Sequence, residues 1–173
     1  MTRILIAYAT KHNTTREIAE AMADTLRSQG LDVDVAAASS VTDVAGYDAV
    51  VLGTSLYMGS VLKDAVKFAG RHEAALRGRP VAGFLVGMGF AEPKEDTMEL
   101  AEKALEPVRA HVDLVGLGTF AGRMNPSFMP VIGFFRRYDE TKTEDARDWD
   151  AIRAWAASLP EKLGLAAAGD DSA

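Results

Sequence analysis

The chain has 173 residues, 48% of them hydrophobic and 25% charged, which is enough for one domain with a real core and too little for two. A net charge of −6 excludes a broad nucleic-acid-binding surface, which needs clustered Lys and Arg. The absence of cysteine excludes disulfides, iron–sulfur clusters and thiol nucleophiles, so any redox chemistry must come from a cofactor. His12, His72 and His111 are not spaced as metal ligands.

Ile4 to Tyr8 reads as a buried parallel strand, because its apolar run is continuous rather than alternating. Helical spacing follows from Thr14 to Gln29, with Ile18, Ala19, Met22, Ala23 and Leu26 on one face and Gly30 as the stop. Leu31 to Ala37 is a second strand, partly polar and so placed near the sheet edge, and Asp48 to Gly53 a third. A helix is expected from Ser60 to Glu73, a fourth strand from Pro80 to Val86, and a helix from about Lys94 to Arg109. The fifth strand runs from Leu114 to Phe120, and the last helix from about Trp149 to Leu163, with Asp148 as its cap. Strands alternating with helices in this way predict a doubly wound α/β domain with a five-stranded parallel sheet covered on both faces.

The domain is expected over residues 1–165, with a short acidic tail at 166–173. One connection breaks the rhythm. Residues 121–148 separate the fifth strand from the last helix, where about 2 to 6 residues are usual, and Phe128, Met129, Val131, Ile132, Phe134 and Phe135 make the stretch too apolar for simple disorder.

In an open α/β sheet ligands gather at the carboxyl ends of the strands where the winding reverses. The loop at that place, Thr10-Lys11-His12-Asn13-Thr14-Thr15, offers hydroxyl and amide donors beside a helix N-terminus, which suits a phosphate dianion. The other reading of the same loop is that Asn13 or Thr14 only caps the helix. Neither the Gly-Lys-Ser/Thr loop of nucleotide triphosphatases nor the three-glycine dinucleotide fingerprint is present, and no acidic residue stands after the first strand to hold magnesium.

From Ile6 to Ala19 the residues resemble the flavodoxin signature: a hydrophobic strand, an aromatic at Tyr8, Thr10, Thr15, and Ala19 one turn later. Asn13 stands where that signature has Gly, Ala or Cys, and Asn tolerates left-handed backbone angles better than most residues. The resemblance implies strand order 2-1-3-4-5 and FMN as cofactor, its phosphate held by Thr10 to Thr15. It also implies two loops around the flavin ring. The first is Thr54-Ser55-Leu56-Tyr57-Met58-Gly59, where Tyr57 stacks on the ring and the Met58–Gly59 peptide turns to meet it. The second is Gly87-Met88-Gly89-Phe90, with Phe90 over the other face. Taken singly, Tyr57, Met88 and Phe90 read equally well as residues that pack their loops.

Toward the C-terminus, Gly133 to Thr143 and then Asp148-Trp149-Asp150 resemble the flavodoxin-type, menaquinone-dependent protoporphyrinogen IX dehydrogenases. That implies an FMN-dependent oxidoreductase passing electrons from a reduced substrate, such as a porphyrinogen, to a quinone-like acceptor. A soluble carrier between redox partner proteins is the alternative, favoured by the acidic balance. The insertion is less rich in Arg, Lys and Tyr than in that family. Its stretch from Phe128 to Tyr138 reads as a short helix for a membrane surface, the flavin or a partner, or as a satellite cluster folded onto the domain. No signal-peptide pattern or membrane-length apolar run is seen, so the expected location is cytoplasmic, with peripheral contact at the inner membrane face. Self-association through the insertion is a further expectation.

Overall fold

The computed structural model describes residues 1–124 and 144–165, with the backbone alone for Met124 and Glu144. The apolar stretch at 128–138 and the tail at 166–173 lie outside the described residues. The elements in chain order begin with β1 (Arg3–Ala9), α1 (Thr14–Ser28), β2 (Asp32–Ala37), β3 (Ala49–Tyr57) and β4 (Ser60–Val61). There follow α2 (Lys63–Arg71), α3 (Glu73–Leu76), β5 (Val81–Val86), α4 (Thr97–Arg109) and β6 (Leu117–Phe120). Last come β7 (Arg123–Met124), β8 (Glu144–Asp145) and α5 (Trp149–Lys162).

The main sheet runs β2-β1-β3-β5-β6 with these neighbours parallel, the expected order of five strands. β4 adds a short antiparallel pairing at the end of β3. β7 and β8 form a separate antiparallel pair, Arg123 opposite Asp145 and Met124 opposite Glu144. This pair joins the two ends of the stretch at 125–143.

Alternation along the strands explains why their sequences look continuously apolar. In β1, Ile4 and Ile6 face α1 and α5, while Leu5, Ala7 and Ala9 belong to the layer under α2 and α4. Both sides are buried, so polar residues have no place in that run. α1 buries Ile18, Ala19, Met22, Ala23 and Leu26, the stripe its spacing predicts. α5 buries Ile152, Ala156 and Leu159, and Asp148 caps it by accepting from the Ala151 N–H at 3.0 Å.

Several boundaries differ from the sequence reading, and at the end of β3 a tertiary pairing overrides local preference. β3 runs on from Gly53 to Tyr57, since Leu56 and Tyr57 pair with Val61 and Ser60. Residues 54–57 are therefore a strand end rather than a loop. That pairing also takes the first residues of the expected helix, so α2 begins at Lys63. It ends at Arg71, where His72 turns the chain into the short α3. The fourth helix starts at Thr97 rather than Lys94, and β6 at Leu117 rather than Leu114.

Candidate functional site

The winding reverses between β1 and β3, because the chain passes from β1 out to β2 and then back to β3 on the other side. The carboxyl ends of β1, β3, β5 and β6 meet there around a cleft of about 110 Å³. Thr10, Lys11, His12 and Thr14 line it from the first loop, and Ser55, Leu56 and Tyr57 from the end of β3. Gly87 and Met88 come from the loop after β5, and Gly122 and Arg123 from the turn after β6.

The first loop is shaped by its fourth residue. Asn13 takes φ 62° and ψ −2°, the left-handed conformation, and its side chain makes no capping bond to α1. The capping reading of Asn13 therefore fails, and its backbone conformation is what the position uses. The first N–H groups of α1 are thus left without a side-chain acceptor from the cap, at the positive end of the helix dipole. Beside them, the Thr10 hydroxyl oxygen is buried and has no hydrogen-bond partner among the described residues. Buried hydroxyls are seldom left so unless something else satisfies them, and an anion at this helix terminus would.

Thr15 is fully buried and shares a hydrogen bond of 2.5 Å with the Ser55 hydroxyl, which ties α1 to the end of β3. One hydroxyl of such a pair donates to the other, so a second hydroxyl hydrogen is left to point elsewhere. Thr54 is buried too. It donates to the Ser55 carbonyl at 3.1 Å and accepts from the Leu62 N–H at 3.2 Å, holding the β3–β4 hairpin closed.

At the tip of that hairpin Met58 and Gly59 carry φ 50° and 76°. Two positive φ values are what a two-residue hairpin of type I′ twist requires, and a methionine there stores strain that glycine does not. Tyr57 is 50% exposed and Met58 90% exposed. The Lys11 ammonium sits 3.6 Å from the centre of the Tyr57 ring, a cation–π contact across the mouth of the cleft.

After β5, Met88–Phe90 form one tight turn, anchored where the Gly87 N–H donates to the Phe120 carbonyl at 3.0 Å. Phe90 is partly buried and packs against the layer under α2 and α4. Gly89 is exposed and lies outside the cleft lining. Of the residues expected from sequence, Asn13, Thr15, Thr54, Met58, Gly59, Gly89 and Phe90 do not line this cleft directly. The first five shape or brace its walls.

Arg123 and Gly122 were missing from the sequence expectation. The available signal was position: Arg123 is the first charged residue after the fifth strand, at the sheet end where ligands collect. Its strand β7 is held by β8, and β8 leads into Arg147. The Arg147 side chain is only 6% exposed. It grips Asp145 with a fork of 2.7 and 2.8 Å, pairs with Glu17 of α1, and stacks 4.6 Å from the Trp149 ring. Hydrogen bonding to Arg147 holds the Asp145 carboxyl below its ordinary 3.8. A buried arginine thus fastens the stem beside the first turn of α1.

The other histidines serve packing. His72 is buried against Phe68 with Nε2 near the Val41 carbonyl at 3.2 Å, and His111 Nδ1 meets Glu73 at 2.9 Å. No group of acidic and histidine side chains that would hold a metal occurs among the described residues. Nor, among them, is any helix long and apolar enough to cross a membrane.

The donor set fits the phosphate end of FMN: an orphaned buried hydroxyl, a helix N-terminus, and Lys11 and Arg123 nearby. The cleft is smaller than the ~300–1,000 Å³ usual for a whole small-molecule pocket, so it matches part of the nucleotide.

A family model described as the flavodoxin domain matches residues 5–137. Flavodoxin 1 of Bacillus cereus superposes with TM-score 0.59 at 17% identity, covering 92% of this chain and 98% of that one. Flavodoxin 2 of the same organism gives 0.58 at 23% identity, over 93% and 99%. The protoporphyrinogen IX dehydrogenase [quinone] of Escherichia coli K12 is 30% identical over 97 residues, 55% of this chain and 54% of that protein. The chain thus spans about half the length of the curated relatives it matches.

Proposed function

The chain belongs to the flavodoxin domain family, whose cofactor is FMN, and on that premise we propose that it is an oxidoreductase acting through FMN on a reduced organic substrate. The observation that carries the reading is the unsatisfied Thr10 hydroxyl beside the N-terminus of α1, at the reversal point of the sheet. In this reading Thr10, Thr14 and the N–H groups around Asn13 hold the phosphate, with Lys11 and Arg123 supplying charge at the cleft and His12 a ring nitrogen. Thr15 and Ser55 brace the wall, and Thr54 fixes the hairpin. Leu56, Tyr57, Met58 and Gly59 flank the ring on one side, and Gly87, Met88, Gly89 and Phe90 on the other.

When bound, FMN supplies reversible acceptance of a hydride or of single electrons. The chain's own contribution is orientation and tuning. Turning the Met58–Gly59 peptide changes ψ of Met58 and φ of Gly59, a rotation that glycine admits, and it would offer a hydrogen bond that depends on the cofactor's state. Lys11 must leave the Tyr57 face for a ring to stack there, and its charge is then available to the phosphate.

The preferred donor is a porphyrinogen and the preferred acceptor a quinone, supported by the partial likeness to the E. coli dehydrogenase and by the apolar insertion. Contact with a membrane surface and self-association belong to the same reading. A second reading, an electron carrier between redox partner proteins, is favoured by the net charge of −6 and the exposed Tyr57–Met58 tip.

Anaerobic stopped-flow mixing of the FMN-loaded protein with protoporphyrinogen and a menaquinone analogue divides the two. Reduction of the flavin by the porphyrinogen supports the enzyme. A flavin that stays oxidised with it, yet is reduced by a ferredoxin- or NADPH-linked reductase, makes the protein a carrier. For the phosphate site, Thr10→Ala with Thr15→Ala should weaken FMN binding by at least about tenfold, because a hydrogen bond to a charged group contributes ~1.5–3 kcal/mol. Unchanged affinity in a flavin-fluorescence titration would place the phosphate elsewhere.

A further inference from the structure

A second and larger hollow lies on the other side of the β3–β4 hairpin. The FMN cleft takes its wall from Ser55, Leu56 and Tyr57, whereas this groove begins at Gly59 and Ser60, just past the tip. It runs between α2 and α4 and encloses about 660 Å³, within the usual range for a site that takes a small organic molecule. Its floor is apolar: Val61, Val66, Leu100, Ala104 and Pro107. Leu100 is 57% exposed there, a leucine on a helix face that nothing else among the described residues covers.

The walls are basic on both sides. Lys63 and Lys67, one helical turn apart, stand on α2, and Lys103 stands opposite on α4. Among the described residues none of these three lysines makes a hydrogen bond or an ion pair. In lacking an ion pair they are like the other described lysines, whereas arginines such as Arg27, Arg109 and Arg147 find carboxylates; what sets these three apart is that they line one groove from both walls. Glu106 is the one carboxylate in the lining.

We propose that this groove binds an apolar organic molecule carrying two or more separated carboxylates, the body on the Leu100 floor and the carboxylates on Lys63, Lys67 and Lys103. The inference rests on the reading that the protein acts on a reduced organic substrate, and it gives that substrate a place and a chemical class. Lysines on opposite walls match carboxylates at separate points on the ligand better than a single headgroup. Among the described residues the lining holds no arginine, the side chain whose fork grips a phosphate at two points. Glu106 offers the complementary acceptor for an N–H of the ligand. Such a ligand lies against the same hairpin whose tip, Tyr57 and Met58, faces the cofactor side.

The test uses the FMN-loaded protein and protoporphyrin IX, a stable apolar dicarboxylate, followed by quenching of protein fluorescence. The wild type is expected to bind it at least tenfold more tightly than Lys63→Gln/Lys67→Gln/Lys103→Gln, and tenfold more tightly than it binds the porphyrin dimethyl ester. A control variant, Lys94→Gln, should bind as the wild type, and all variants should hold FMN equally well, which reports that they are folded. Equal affinity of the triple variant, or of the ester, would overturn the groove assignment, as would oleate displacing the porphyrin at equal concentration. Wild-type turnover of protoporphyrinogen, measured alongside, judges the enzyme reading separately: turnover undiminished in the triple variant sinks the groove and leaves the enzyme standing.

Discussion

On one face of the sheet α1 and α5 lie against each other and close the layer, while on the other α2 and α4 touch over a shorter span and leave an open groove. The closed face carries an interlocking aromatic trio, Phe84, Phe120 and Trp155, with ring centres 5.7 to 6.4 Å apart in edge-on arrangements. Gly53 passes so close that a Cβ there would stand 2.1 Å from the Phe84 ring, so β3 admits only glycine at that point. The open face is apolar as well, yet among the described residues it leaves Leu100 exposed and its lysines unpaired. The same sheet therefore has one side closed by an aromatic cluster and one side that keeps room for a ligand above its buried core. Stability should reside mainly in the first, and recognition in the second.

The strongest way to break that division is to remove Phe84. Phe84→Ala opens a cavity under Gly53, Phe120 and Trp155, and should lose about 3–5 kcal/mol in urea unfolding. A loss below about 1 kcal/mol would mean that the closed face is not what holds the domain together.

A smaller effect is expected at the edge of the closed face. Arg147→Ala strands Glu17 and Asp145, both partly exposed, so a loss of about 1–2 kcal/mol is expected at neutral pH. The same pair sets an acid dependence. Arg147 lowers the Asp145 pKa in the folded chain, so its contribution is present above the unfolded value, near pH 4, and fades as pH falls through the lower native one. The urea midpoint of the wild type should drop across that window more steeply than that of Arg147→Ala; parallel profiles would remove Asp145 as the cause.

The smallest change should come from the groove. Leu100→Ser deletes an apolar side chain as large as those of the core, but one already half in water, and stability should stay within about 0.5 kcal/mol. A loss of 2 kcal/mol or more would show that the groove is closed in solution and that the two faces are alike.

Much of this was legible in the sequence, and the reasons are local. β1 and β5 announce themselves because burial on both faces forces unbroken apolar runs, and α1 because its apolar residues recur with the helical period. Asn13 was readable only in part: Asn is among the few side chains that accept a left-handed turn, yet it also suits a helix cap, and the backbone conformation decides between them. The hairpin after β3 was not readable, since Thr-Ser-Leu-Tyr suits a loop or a strand equally and only the pairing with Ser60 and Val61 decides. Arg123 escaped because β7 and β8 are two residues each and meet across a long separation in sequence. The groove had no local signature at all, since its lining comes from the β3–β4 hairpin, α2 and α4, which only the fold brings together.

The short stem made by β7 and β8 also says something about how this domain can change. It brings the ends of the intervening stretch to within one strand spacing, about 5 Å, and Arg147 locks that junction to α1. The closure is made by residues outside the stretch, and closing a longer loop adds only ~0.6 kcal/mol per doubling of length. A chain grafted between Met124 and Glu144 would inherit its closure from the stem, so changing its length should leave the urea midpoint of the domain nearly unmoved.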